Sequence, residues 1–463
     1  MREGIAEGTD ASDEADVTVR GSPRQGLVSA TLGFFVGFAG VVLYGPVASA
    51  FEGAMDLSGL LLGLLVAAPQ LTGSLLRIPF GAWVEDVGAK KPFLVLLGLS
   101  IVGMGGLSVL LLLGSPNGLT TVHYPIVFGF GALSGCGIAT FAVGTTQTSY
   151  WYPAEKQGTM LAVFGGLGNA SPGLFTLVLP VALAALGLTG AYLAWFAFLV
   201  VGTLAYARYA VDAPSFQFRE HGIAEREARR RAEACGQELF PGGDAMDSVR
   251  NAATILRTWV LVALFFTSFG GFLALTTWLP SYWRAVHGVD VRTAGALTAV
   301  AFTLLAAVIR VPGGIVGDRI GGERTAIVGF GAIASATAVL VVTREFVPAV
   351  AATVLLAAGM GVASAAVFGL VPAYVPDAVG GASGLVGGIG AFGGFVIPPI
   401  LGLFVDRRGT AGYATGLVVV LVLGIISFGL SIGLYRTRST LLPDGEGSSV
   451  PRADGEADSP VDG

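Results

Sequence analysis

Charge is what this sequence has least of. Only 12% of its 463 residues are Asp, Glu, Lys or Arg, about half of the ~25% usual in a soluble domain. With 53% hydrophobic residues and a mean hydropathy of +0.75, a single water-soluble core is excluded and a polytopic membrane protein is expected. Cysteine is nearly missing. Cys136 falls in an apolar run and Cys235 in a charged segment, so neither a disulfide framework nor a thiolate metal cluster is expected. The three histidines, His123, His221 and His287, are scattered and offer no ligand pair at helical spacing, so no metal and no cofactor is called for. The opening MREGIAEGTDASDEAD lacks the basic region and short apolar run of a cleavable leader, and nothing is expected to be removed. A further scarcity lies inside the apolar runs: no carboxylate falls near the middle of any of them.

What is there is a set of twelve apolar runs, each near the ~20 residues that a membrane helix needs. Six lie within residues 27–211 and six within 257–436. The expected organisation is therefore an acidic, disordered tail over 1–26, a six-helix half over 27–211, a linker over 212–256, a second six-helix half over 257–436 and another acidic tail over 437–463. Residues 1–20 and 443–463 each carry six acids, a composition that stays solvated. Within the linker, Glu225 with Arg229 and Glu227 with Arg231 are spaced for ion pairs on a solvated helix. Arginines outnumber lysines heavily, with 23 Arg and 3 Lys. If the amino terminus is inside, 19 of the 26 fall on cytoplasmic loops, tails and helix ends, as the positive-inside bias requires. Both termini and the linker are then expected in the cytoplasm.

One stretch occurs twice. RIPFGAWVEDVGAKK at 77–91 aligns without a gap on RVPGGIVGDRIGGER at 310–324. In each copy an arginine, Arg77 or Arg310, closes a long apolar run eight residues before an acidic turn. At ~1.5 Å per helical residue this sets it about 12 Å from that turn, within a hydrocarbon half-thickness of ~15 Å. Each arginine is therefore expected near the midplane. Placing one there costs roughly 2.5–3.5 kcal/mol on the insertion scale, and neither run supplies an acid within a turn. A structural role, bonding to helix carbonyls, is one reading. A mobile anion as partner is the other, and the choice of arginine favours it: guanidinium stays charged and presents a planar fork of donors that suits a flat oxyanion. A second internal match, GGLGNASPG at 165–173 with GGIGAFGGF at 387–395, supports two parallel halves with a site between them.

The paired arginines, these two glycine signatures, the segment GIATFAVGTTQTSYWYP and the segment FFTSFGGFLALTTWLP together resemble the nitrate/nitrite porter family of the major facilitator superfamily. The resemblance covers about residues 27–436. It implies an all-α membrane protein with the major facilitator fold, 12 transmembrane helices in two six-helix halves. It further implies that Arg77 and Arg310 grip an anion from opposite halves, that Phe141 and Phe269 cover its faces, and that Asn169 offers a neutral donor. Three positions depart from the family pattern. Phe265 stands where relatives often carry a hydroxyl-bearing aromatic, Ala391 stands where the first signature has Asn169, and Asp86 replaces the arginine usual in the first cytoplasmic turn. The turn residues Glu85, Lys90, Asp318, Arg319 and Arg324 read as a gate, since charge pairs there can hold one access state shut.

The function expected is alternating-access transport of nitrate and nitrite across the cytoplasmic membrane, by exchange, in a chain that is not an enzyme. The alternatives are a proton-coupled nitrate symporter and an exchanger of small carboxylates such as formate or oxalate. The partners expected are nitrate, nitrite and the lipid bilayer, with no nucleic acid, and the chain is expected to work as a monomer.

Overall fold

The computed structural model describes residues 18–241 and 245–441. Most of both acidic tails, 1–17 and 442–463, lies outside the described residues. Apolar runs this long must satisfy their backbone polar groups internally, and they do so as helices. Among the described residues, eleven continuous helical stretches are long and apolar enough to cross a membrane, and one of them, Glu155–Tyr209, contains two helices. Gly187 breaks that stretch at φ +68°, a left-handed conformation that only glycine adopts without strain. The twelve helices are α1 (Pro23–Met55), α2 (Gly59–Val87), α3 (Lys90–Gly114), α4 (Thr121–Trp151), α5 (155–186), α6 (188–209), α7 (Leu256–His287), α8 (Val291–Ile320), α9 (Gly322–Val342), α10 (Phe346–Tyr374), α11 (379–408) and α12 (Val418–Thr437). The first begins four residues before the boundary expected at 27. Ser22 supplies the N-cap, accepting from the Gln25 N–H, and Pro23 takes the first helical position.

The halves α1–α6 and α7–α12 face each other along α1 with α7, α2 with α11, and α5 with α8. At the end away from the linker, called here the far end, the contact between α2 and α11 is tight. A methyl group on Gly402 would overlap the Gly59 carbonyl, and one on Gly63 would overlap the backbone at Pro398. The carboxylate of Asp406, on α11, also accepts from the Gly59 N–H (2.5 Å) and the Leu60 N–H (2.9 Å). An acid of one half thus caps a helix of the other, where the N-terminal dipole favours negative charge.

The linker is more ordered than a solvated helix. It forms three short helices, Pro214–Glu220, Glu225–Ala234 and Ala245–Thr254. Phe218, Ala228 and Ala232 close over Val19, Ile223 and Phe240 as a small apolar cluster. Of the two ion pairs expected, Glu227 with Arg231 forms at 2.8 Å. Arg229 instead pairs with Glu233 at 3.1 Å and lies over the Phe240 ring, because the aromatic draws its guanidinium toward the other end of the helix. Gln217 clasps the segment entering α1, accepting from the Arg20 N–H and donating to its carbonyl. The described start of the chain therefore lies beside the linker.

Candidate functional site

Helix irregularities surround the middle of the bundle. Immediately before Phe141, α4 tightens into a 3₁₀ turn over Gly135–Ala139. In α7 a π-type turn spans Phe266–Gly270 and contains Phe269. In α11 regular helix stops at Ile389 and resumes at Gly393, within the second glycine signature. Such departures from i→i−4 bonding re-aim side chains and release backbone groups.

Four of the five expected site residues converge there. Arg77 is 2% exposed. Its Nε donates to the Gly73 carbonyl of its own helix (3.1 Å) and its Nη1 to the Gly387 carbonyl of α11 (3.0 Å), a bond between the two halves. Its guanidinium lies 5.2 Å from the Phe141 ring centre and 5.5 Å from that of Phe269. Arg310 reaches the same Phe269 ring from the other half, at 4.9 Å. Arg77 Nη2 and Arg310 Nη1 are buried with no hydrogen-bond partner. Among the described residues, no carboxylate pairs with either arginine. Two fixed cations therefore approach one aromatic ring, each with a donor to spare. Cation–π contact offsets part of their desolvation, about 0.5–2 kcal/mol per pair, but leaves the charge uncompensated. That arrangement can hold a small anion that accepts hydrogen bonds from both sides.

The carbonyl-bonding role considered for the arginines from sequence is thus realised in part, by two of the three nitrogens of Arg77. Asn169 behaves differently from the expectation. Its Nδ2 donates to the Gly165 carbonyl one turn back (2.6 Å), while its buried Oδ1 has no partner. The atom left open is an acceptor, so for Asn169 to serve an anion its amide must turn over. Its neighbour Gly168 packs on Phe34, which in turn packs on Phe141. Phe265 is buried, stacked on Phe269 at 5.0 Å and tilted against Phe368, so it braces the ring that both cations approach.

Toward the linker end, a cavity of about 530 Å³ runs down from Arg77 and Phe141 past Thr145, Glu85 and Tyr150 to Phe240 and Ser248 of the linker. Of the expected gate residues, Glu85 lines this cavity. Asp318 and Arg319 are exposed. Arg324 donates to the Tyr435 hydroxyl through Nε (3.2 Å) and Nη2 (2.8 Å), since α12 sets a phenol, not an acid, beside it. The Lys90 backbone N–H, with that of Ala89, donates to Asp212 at 2.9 and 2.6 Å. Asp212 and Asp406, each capping a distant helix, are structural acids that sequence reading missed. Their long-range partners leave no local pattern, although an acid just beyond an apolar run is a fair cue for a cap.

The sequence profile of the Major Facilitator Superfamily matches residues 30–398. The chain belongs to the Major Facilitator Superfamily. A solved structure of the same fold, the xylose transporter XylE from E. coli in a partially occluded inward open conformation, superposes with a TM-score of 0.68 at 13% identity, covering 90% of this chain and 99% of that one. Among similar sequences, the probable nitrate/nitrite antiporter NarK1 of Thermus thermophilus is 29% identical over 80% of this superfamily member and 82% of its own length. The probable nitrate/nitrite transporter NarK2 of Mycobacterium tuberculosis (strain H37Rv) is 28% identical, over 87% and 94% respectively. The resemblance to nitrate/nitrite porters and the fold expected from it are borne out.

Proposed function

We propose that this protein is an alternating-access carrier of nitrate and nitrite, not an enzyme, and that it exchanges one for the other. The observation that carries the reading is the meeting of Arg77 and Arg310 over the Phe269 ring, each with an unpartnered N–H. A flat monovalent oxyanion can accept from both forks while aromatic rings bound it. The relatives named as nitrate/nitrite transporters support that choice of anion.

Two like charges that approach one buried ring repel each other in a site of low dielectric. An anion between the arginines reverses the sign of that interaction, so the loaded carrier closes more readily than the unloaded one. This favours obligatory exchange, which is electrically silent for a swap of monovalent anions. Uptake into proteoliposomes is the test, comparing nitrate, nitrite, formate and oxalate with nitrite inside. Nitrate uptake that requires internal nitrite supports exchange. Strong accumulation driven by an inward proton gradient, with no anion inside, would instead establish the symporter, and preference for oxalate or formate the carboxylate exchanger. We further assign the protein to the cytoplasmic membrane with the linker and both termini inside. The native Cys235 is exposed on the linker and Cys136 is buried, so an impermeant thiol reagent should label Cys235 only after permeabilisation.

A further inference from the structure

Seven and three residues before Arg77, on the same face of α2, stand two more polar side chains that the site does not use. Gln70 is fully buried and Ser74 is fully buried. Neither amide atom of Gln70 has a hydrogen-bond partner, nor does the Ser74 hydroxyl. Spacing of i, i+4 and i+7 aligns Gln70, Ser74 and Arg77 as one stripe. It faces α11. A Cβ on Gly394 would stand 3.1 Å from Gln70 Cγ, and one on Gly388 would stand 3.3 Å from the Ser74 carbonyl. The stripe is therefore shut inside the contact between the two halves, between the far-end latch at Gly59 and Asp406 and the arginine pair.

Burying an amide with nothing bonded to it is unfavourable, and a leucine of similar size would seal the α2–α11 contact better. The arrangement makes physical sense if this contact opens. We propose that Gln70 and Ser74 form a second, transient anion-binding step on the far-end pathway, where the Gln70 Nε2–H₂ and the Ser74 hydroxyl donate to a small oxyanion on its way to Arg77. Neutral donors suit a step that must release its ligand inward, because a third fixed cation would hold the anion short of the arginines. On the second half the corresponding positions are Thr303 and Ala307. The Thr303 hydroxyl is taken up by Thr276 at 3.4 Å, so the step is built on one half only.

This inference rests on the anion-carrier reading, and two measurements keep them apart. In oriented membrane vesicles, Gln70→Leu should raise the nitrate KM for entry from the far end about tenfold, the loss expected of one hydrogen bond to a charged ligand. KM for entry from the linker end should stay as in the wild type. The melting temperature should not fall, because the variant removes an unbonded amide. A KM equal to wild type on both sides, or raised equally on both, overturns the proposal. Wild-type vesicles that exchange no nitrate would refute the carrier reading instead. Where exchange is observed, Gln70→Cys, with Cys136→Ser and Cys235→Ser, tests the pathway separately. An anionic thiosulfonate added at the far end should modify it during cycling, and failure to react overturns the proposal.

Discussion

Replacing Arg77 by lysine isolates what the planar fork contributes. In the structure Arg77 does two things at once: Nε and Nη1 hold the Gly73 and Gly387 carbonyls, and Nη2 remains free to donate. An ammonium is a single centre on a flexible stem. It must choose between the carbonyl of the opposite half and an anion over Phe269, so one charge-assisted hydrogen bond is lost, roughly 1.5–3 kcal/mol. The expected result for Arg77→Lys is nitrate binding weakened about 10- to 150-fold, with the same range for Arg310→Lys, while net charge is kept. Binding would be measured by titration of purified protein, exchange in proteoliposomes, and folding by thermal denaturation in the same detergent. Binding and exchange within twofold of wild type for either variant, with normal melting, would refute the two-arginine reasoning. A large fall in melting temperature for Arg77→Lys alone would assign the residue to holding the halves together through Gly387.

Phe141→Ala and Phe269→Ala should weaken nitrate binding more than Phe265→Ala does, whereas Phe265→Ala, buried against Phe269 and Phe368, should cost mainly stability, about 3–5 kcal/mol; titration and melting of each variant separate the two effects. Asp406→Ala removes the cap that binds α11 to the start of α2 and should loosen the far-end closure by about 0.5–2 kcal/mol, seen as faster labelling of Gln70→Cys from that side; unchanged labelling would show that the latch does not control access. Burial holds the Asp212 carboxyl above its ordinary 3.8, against the opposing backbone N–H groups of Lys90 and Ala89 and the charge of Lys90, with Glu220 adding to the rise. A raised folded value means that the native state binds this proton more tightly than the unfolded chain. The stability it contributes is present below 3.8 and is lost as pH rises through the raised value. Asp212→Asn, which retains an acceptor for the two N–H groups, should flatten that part of the melting-temperature profile, and an unchanged profile would show that another group causes it.

The sequence by itself determined the membrane class, the twelve helices and their pairing into halves, because apolar length and internal repetition are local properties of the chain. It also singled out Arg77 and Arg310, since a cation in a long apolar run is conspicuous without any partner in view. The family pattern then drew attention to Phe141 and Phe269, two phenylalanines among 28 whose selection from composition alone would have been arbitrary. Only the tertiary structure decided that these four side chains meet, because that depends on how the helices pack and on irregular turns, the 3₁₀ turn ahead of Phe141 in α4 and the π-type turn around Phe269 in α7, neither of which has a periodicity to read. It also decided how donors are spent. Arg77 gives two nitrogens to carbonyls, one of them 310 residues away, and Asn169 gives its amide N–H₂ to its own helix. Arg324 finds a tyrosine and Asp406 caps a helix of the other half. Hydrogen bonds between distant segments are set by how helices pack, and in a membrane protein whose spanning helices are apolar nearly all round, local sequence carries little record of which faces meet.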